Sequence, residues 1–393
     1  MSLITEKLEQ AKGLLKDYGV DCWITFVRES SLNGDPTLAY LVESSVTWHS
    51  AFVVAATGKT AAIVGSLDKA MIDDLKAYDR VEGYVTGFKE PFQALLRELN
   101  PRSIAVNYST GSEICDGLTH GMYLQLHAYL ADLGMEDRLM PAEKIISSLR
   151  EQKTPREIAA MREAINRTLR IYRAAGEFIR PGMSEQEIAS FIKARARESG
   201  EELAWDALTC PSVFTGPDTA GAHYGPTGRK VEGGHVLNMD FGLRYDGYCS
   251  DLQRTWYVRK PGESAAPPEV QRGFETIRRA IEDARKAMRP GVQGLRIDAI
   301  ARGVITGEGY GEFPHGLGHQ VGRFAHDGTA LLGPAWEKYA NKPFEPLKAG
   351  MVFTIEPRLT VPGHGVVTIE EMVQVTPSGA EYLSAPQETL YLV

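Results

Sequence analysis

The sequence predicts two domains of different class: an α/β domain with a mixed sheet over residues 1–152 and an α+β domain over residues 153–393. Three observations carry this expectation. Strand-like apolar runs alternate with helical patterns through the first third of the chain, as in a layered α/β structure. Around Arg150-Glu151-Gln152-Lys153-Thr154-Pro155 the composition turns polar and charged, which suits a domain boundary. Beyond it the order helix, Arg-Pro-Gly, helix, Gly-rich segment, then a stretch bearing His, Asp or Glu occurs twice, with Arg180-Pro181-Gly182 and Arg289-Pro290-Gly291 offset by 109 residues. Such a repeat predicts two similar halves closing over one site.

Taken in order, Leu8, Ala11 and Leu15 recur at helical spacing between Ile4 and about Lys16, and the run Cys22–Phe26 reads as a strand. Strand-like runs recur over Ser50–Val64, with Thr57-Gly58-Lys59-Thr60 as the turn, and again at Val81–Val85 and Ser103–Val106. Helical patterns fall between them near Asp68–Ala77, Pro91–Leu99 and Leu118–Leu133. The polar segment Arg28–Pro36 reads as a surface connection. Past the boundary, Thr154 as N-cap, Pro155 at the first helical position and Glu157 form a capping box, and Ile158, Met161, Ile165, Leu169 and Tyr172 keep helical spacing. Ser184 and Glu187 cap the next helix. A second pair is expected from about Glu269 to Arg289 and near Leu295–Thr306.

Composition narrows the function classes. A net charge of −8 with no basic run argues against a nucleic-acid binder. No apolar run approaches the roughly 20 residues that span a bilayer, and the N-terminal stretch lacks a signal-peptide core, so no membrane association and a cytoplasmic location are expected. The cysteines Cys22, Cys115, Cys210 and Cys249 are scattered without a Cys-x-x-Cys and read as reduced packing residues.

The second domain holds an unusual hairpin. His235 to Val258 contains Asp246-Gly247 between aromatic and apolar residues, the strongest local signal for a two-residue β-turn. Counting outward pairs Tyr245 with Tyr248, Arg244 with Cys249 and Gly242 with Asp251, which sets Asp240 and Asp251 on one face as diagonal neighbours, about 7–8 Å apart at Cα. Two inward carboxylates at that separation need a metal or a proton between them, since bare like charges repel. The alternative is two solvent-facing aspartates on an amphipathic strand.

Further on, Phe313 to Asp327 gathers three of the nine histidines, His315, His319 and His326, among glycines. Phe353-Thr354-Ile355-Glu356-Pro357 and Val367-Thr368-Ile369-Glu370-Glu371-Met372 each place acid in an apolar strand, which is costly unless it is paired or bound to metal. A two-residue turn at Gly363-His364 would set Glu356 opposite Glu371; a three-residue loop at Gly363-His364-Gly365 would put Glu356 and Glu370 on one face. Counting leaves both open.

Asp240, Asp251, His319 within His-Gly-x-Gly-His, Glu356 in Ile-Glu-Pro and Glu370 resemble, in order, the five metal ligands of the pita-bread metallopeptidases. That family includes methionine aminopeptidase, aminopeptidase P, prolidase and the metal-free creatinase. The resemblance runs from about residue 154 to the C-terminus, and it favours Glu370 over Glu371. His223 and His326 resemble the substrate-site histidines of the proline-peptidase branch. The N-terminal domain resembles the one shared by creatinase, aminopeptidase P and prolidase, which disfavours methionine aminopeptidase.

The resemblance implies a pita-bread catalytic domain with two divalent ions bridged by Asp240 and Glu370, Asp251 on one ion and His319 and Glu356 on the other. Oxygen-rich ligation suits Mn²⁺, with Co²⁺ or Zn²⁺ as alternatives. A bridging hydroxide would attack the carbonyl of an Xaa-Pro dipeptide, with Glu356 passing a proton to the leaving nitrogen and His223 and His326 donating to the substrate. The expected activity is therefore that of a prolidase; the alternative is an aminopeptidase P acting on longer peptides. The family's proline peptidases usually carry Arg two residues before the last ligand, where this chain has Thr368. Arg358 and Tyr391 are the candidates to hold the substrate carboxylate instead. A homodimer is implied, with the Arg28–Pro36 loop reaching the partner's cleft and Asp35 meeting the substrate amine.

Overall fold

A computed structural model describes residues 2–219 and 224–393. The chain divides into two compact units, Met1–Arg150 and Glu151–Val393. None of the described helices is long and apolar enough to cross a membrane.

The first unit is built on a six-stranded sheet ordered Arg80–Tyr84, Thr60–Gly65, Ser50–Ala55, Cys22–Val27, Ile104–Val106 and Leu139–Pro141. The sheet is mixed, as the alternation predicts: the Ser50–Ala55 strand runs antiparallel to both neighbours, and the remaining pairs are parallel. The central strands are buried along their whole length because helices cover both faces. Trp23, Phe52 and Val54 pack with Ile4, Leu8 and Leu15 of the helix Leu3–Tyr18. Cys22, Ile24 and Phe26 pack on the other side with Phe92, Leu96, Leu126 and Leu130.

In the second unit the two capping boxes form as expected, Thr154 with Glu157 and Ser184 with Glu187, and they open the helices Pro155–Phe178 and Glu185–Glu198. The helices Pro268–Ala287 and Gly294–Gly307 make the second pair. The repeat is structural as well. Gly182 and Gly291 both take positive φ, at 91° and 87°, and each donates its N–H across, to Val231 O at 2.7 Å and to Leu347 O at 2.8 Å. Two residues on, Ser184 bridges Lys230 and Gln293 bridges Pro346. Each half then supplies an acidic hairpin.

One hairpin lies in a four-stranded sheet ordered Tyr391–Leu392, Leu252–Tyr257, Val236–Phe241 and Ser212–Thr215. The other pairs Val352–Ile355 with Glu371–Val375 and Arg358–Val361 with Gly365–Thr368. Bridges from Gln253 to Glu370 and from Gln320 to Phe353 join these pieces. Leu359 and Val361 turn toward the helix Pro268–Ala287 and join its core, so the alternate residues Arg358 and Thr368 take the opposite face.

Candidate metal centre

The first hairpin keeps the counted register. Tyr245 pairs with Tyr248 and Arg244 with Cys249 around a turn whose Asp246 and Gly247 both have positive φ, 49° and 76°. Phe241 pairs with Leu252 and Asp240 with Gln253, so Asp240, Asp251 and Gln253 rise from one face. The second hairpin closes one residue earlier than either turn considered. Val361 pairs with Gly365, leaving Pro362-Gly363-His364 as a three-residue loop. Ile355 pairs with Glu371, and the next residues along, Glu356 and Glu370, stand opposite one another.

Glu371 takes the other face. It forms a buried ion pair with Arg254 at 3.1 Å and accepts from Ser384 Oγ at 2.5 Å and from Gln387 N at 2.8 Å. Arg254 also donates to the backbone oxygens of Gln253 and Glu370 at 2.9 and 3.0 Å, so this pair braces the strand that carries Glu370.

His319 lies in the short strand Gly318–His319, paired with Leu331–Leu332. Only glycine fits before it, since a Cβ at Gly318 would sit 2.0 Å from Thr354 O. Thr354 Oγ1 accepts from His319 N at 3.1 Å. His319 Nε2 then lies 3.4 Å from Glu356 Oε1, 3.7 Å from Asp251 Oδ2 and 4.0 Å from Glu370 Oε1. Asp251, His319 and Glu370 satisfy the geometry of a metal-holding group.

Asp240 joins through its field. Its negative charge raises the carboxyl pKa of Asp251, second only to burial, and those of Glu356 and Glu370, after burial and the charges of Glu370 and Asp251 respectively. Burial pushes Asp240 itself up to about 7, and burial is also the leading cause of the upward shifts at the other three. Asp240 Oδ1 and Glu370 Oε2 are buried without a hydrogen-bond partner among the described residues. Three buried carboxylates, the partly buried Glu356 and one imidazole form an oxygen-rich donor set that divalent cations would satisfy.

His326 comes with His319, their ring centroids 4.2 Å apart and nearly perpendicular. Its loop is held by buried Asp327, which accepts from Arg323 N at 2.6 Å. His223 lies outside the described residues. Arg358 stands directly across the ladder from Thr368, and burial lowers its pKa.

Two expectations are corrected. Asp35 is 5% exposed, and it accepts from Thr37 N at 2.8 Å, Thr37 Oγ1 at 2.6 Å and Asn107 Nδ2 at 2.9 Å. It is thus an internal acceptor of the first unit, sealed from any substrate amine; the exposed members of its loop are Arg28, Glu29 and 31–34. Tyr391 packs its ring on Trp256 at 5.2 Å, and Trp256 packs on Tyr172. Since Trp256 alternates with Gln253 to the helix side of the strand, Tyr391 belongs to that packing and not to the carboxylate face.

Thr354, Gln253 and Arg254 went unanticipated. The signal for the first two was present: each lies two residues from an acidic residue on the same strand and so shares its face.

Comparison with known proteins agrees with this geometry. The profile of metallopeptidase family M24 matches residues 159–377. An uncharacterized peptidase of Staphylococcus aureus (strain bovine RF122 / ET3-1) is 32% identical over 241 residues, 61% of this chain and 64% of that protein, so the match spans less than two thirds of the relative's length. The fold resembles that of an Xaa-Pro dipeptidase from Bacillus anthracis, with TM-score 0.73 and 23% identity over 99% of this chain and 100% of that one. It also resembles an X-Pro aminopeptidase from Thermotoga maritima MSB8, with TM-score 0.71 and 24% identity over 98% and 99%. Because the family profile spans more than half of the chain and takes in both acidic hairpins and the His319 segment, the chain belongs to metallopeptidase family M24.

Proposed function

We propose that this protein is a metal-dependent dipeptidase that hydrolyses Xaa-Pro dipeptides. The observation that carries the reading is the convergence of Asp251, Glu356 and Glu370 on the His319 imidazole, with buried Asp240 on the same hairpin face as Asp251. Two divalent ions, Mn²⁺ foremost and Co²⁺ or Zn²⁺ next, would balance four negative charges and supply Lewis acidity and a water acidified to react near neutral pH. The chain's own residues do the rest. His326, beside His319, donates a hydrogen bond to the oxyanion that develops on the scissile carbonyl, with His223 as its partner in that role. Glu356 carries a proton to the departing proline nitrogen. That nitrogen has no N–H and its ring fixes φ, so a pocket shaped to it selects Xaa-Pro bonds.

Arg358 supports a dipeptide over a longer substrate. Its guanidinium is half-buried and makes no ion pair or hydrogen bond among the described residues, on the face opposite the helix Pro268–Ala287. A desolvated cation without a partner is costly, and a substrate carboxylate would relieve the cost. We assign it that role in place of the arginine that Thr368 replaces. A homodimer whose 28–36 loop reaches the partner's cleft, and a reducing cytoplasmic setting that suits four free buried cysteines, complete the proposal.

The second reading, an Xaa-Pro aminopeptidase, is favoured by a fold likeness to the Thermotoga protein, TM-score 0.71, close to that of the Bacillus dipeptidase, 0.73. The test is hydrolysis of Ala-Pro beside Ala-Pro-Ala by metal-stripped protein, with and without Mn²⁺. Turnover of the dipeptide alone is expected, with Arg358→Met raising KM for Ala-Pro by about 10-fold or more, the worth of a hydrogen bond to a charged group. Cleavage of Ala-Pro-Ala at the Ala-Pro bond would establish the aminopeptidase.

A further inference from the structure

We infer that Thr368 and Gln253 form a positioning pair for Glu356: the threonine hydroxyl sets the orientation of the Gln253 carboxamide, and the carboxamide sets the carboxylate for metal. The inference rests on the reading of Glu356 and Glu370 as metal ligands. Gln253 is 3% exposed and stands directly across the ladder from Asp240. Its Nε2 donates to Glu356 Oε2 at 3.2 Å, its Oε1 accepts from Thr368 Oγ1 at 3.1 Å, and its backbone oxygen accepts from Glu370 N at 3.2 Å. One residue therefore touches three members of the carboxylate face.

A carboxamide presents either end to a carboxylate, and only one end is attractive. The choice here belongs to Thr368, which is 2% exposed and has a single hydroxyl proton. Its acceptors within reach are Gln253 Oε1 and Pro357 O, each at 3.1 Å, and Pro357 follows Glu356 directly. With the hydroxyl turned to Oε1, the amide nitrogen faces Glu356. The flipped amide would press Oε1 against a carboxylate oxygen. The backbone of Thr368 is itself anchored, its oxygen accepting from the Thr255 hydroxyl. A threonine side chain is too short to act on the ligands except through such a neighbour, so the position that usually holds arginine works here by relay.

The experiment titrates Mn²⁺ into full-length metal-free protein by calorimetry, using wild type, Thr368→Val, Thr368→Ser, Gln253→Met and the Thr368→Val/Gln253→Met double variant. Thr368→Val and Gln253→Met are expected to weaken Mn²⁺ binding by about 10- to 100-fold, the usual effect of losing a group that orients a ligand. Thr368→Ser, which keeps the hydroxyl, binds as wild type. The double variant binds no more weakly than Gln253→Met alone, because the two act along one path. At saturating Mn²⁺ Thr368→Val and Gln253→Met lower kcat on Ala-Pro and leave KM in place, while Thr368→Ser keeps both. Wild-type affinity in Thr368→Val, or losses that add in the double variant, would overturn the relay; Gln253→Met and Thr368→Ser keep the test open if Thr368→Val does not fold. A wild type that binds no divalent ion overturns the metal-centre reading and the relay with it. One that binds Mn²⁺ but spares Ala-Pro overturns only the proposed substrate, since the titration decides the relay without it.

Discussion

Glu370 turns toward His319 and Glu371 toward Arg254, so two adjacent acids serve opposite ends. Glu370 Oε2 is buried without a hydrogen-bond partner among the described residues, beside carboxylates whose charges repel it. Glu371 is matched by a buried guanidinium, Ser384 and Gln387. Their glutamine variants should therefore differ in kind. Glu371→Gln leaves Arg254 uncompensated and is expected to cost about 3–5 kcal/mol of stability, as breaking a buried pair does. Glu370→Gln removes one repelling charge, so the metal-free protein should be no less stable while Mn²⁺ binding is lost. Thermal melts with and without Mn²⁺ read both; equal destabilisation of the two metal-free variants would reject the assignment. At this scale the sequence was legible wherever alternation decides a face, as for Asp240 and Asp251. It was not legible for Asp35, because a polar loop residue gives no sign that Thr37 and Asn107 will enclose it.

At the scale of elements, the first hairpin shows how much one turn can dictate. A two-residue turn with both residues at positive φ fixes the pairing, and the pairing delivers two aspartates to one face. Gly247 is the strict member: at φ 76° a Cβ would also meet Arg323 Nη2 at 2.7 Å. Gly247→Ala should destabilise the protein by about 1–2 kcal/mol from the left-handed backbone alone. Asp246→Asn, which tolerates that region, should be close to neutral by denaturant titration. Comparable losses in both would mean that the turn does not hold the register. The second hairpin was legible only as a choice between parities, because Pro362-Gly363-His364 has no strong two-residue turn signal and its loop length follows from how the strands pack.

Across the whole molecule, four acids share one buried space. Burial raises all four, Asp240 from its ordinary value of 3.8 to about 7, and repulsion adds to it at Asp251, Glu356 and Glu370, so the folded metal-free protein holds protons that the unfolded chain has released. A raised folded-state pKa means stability that is present at low pH and lost as pH climbs through that window. The thermal midpoint of metal-free protein should therefore fall between about pH 5 and pH 8, and saturating Mn²⁺ should remove most of the fall by replacing the protons. A midpoint that is flat in pH without metal would show that the carboxylates are not raised together.

The sequence by itself determined the alternation of the first unit, the capping boxes and the repeated Arg-Pro-Gly punctuation, because helix and strand periodicity and turn chemistry are local, while the order of the five candidate ligands came from the family resemblance. Only the tertiary structure decided that Glu370 and not Glu371 faces His319, that Arg358 stands across from Thr368, that Tyr391 packs on Trp256, and that Asp35 is enclosed. Periodicity tells which side of its own element a residue takes; what lies on that side is settled by loop length, by which elements meet, and by which polar groups must be satisfied when they do.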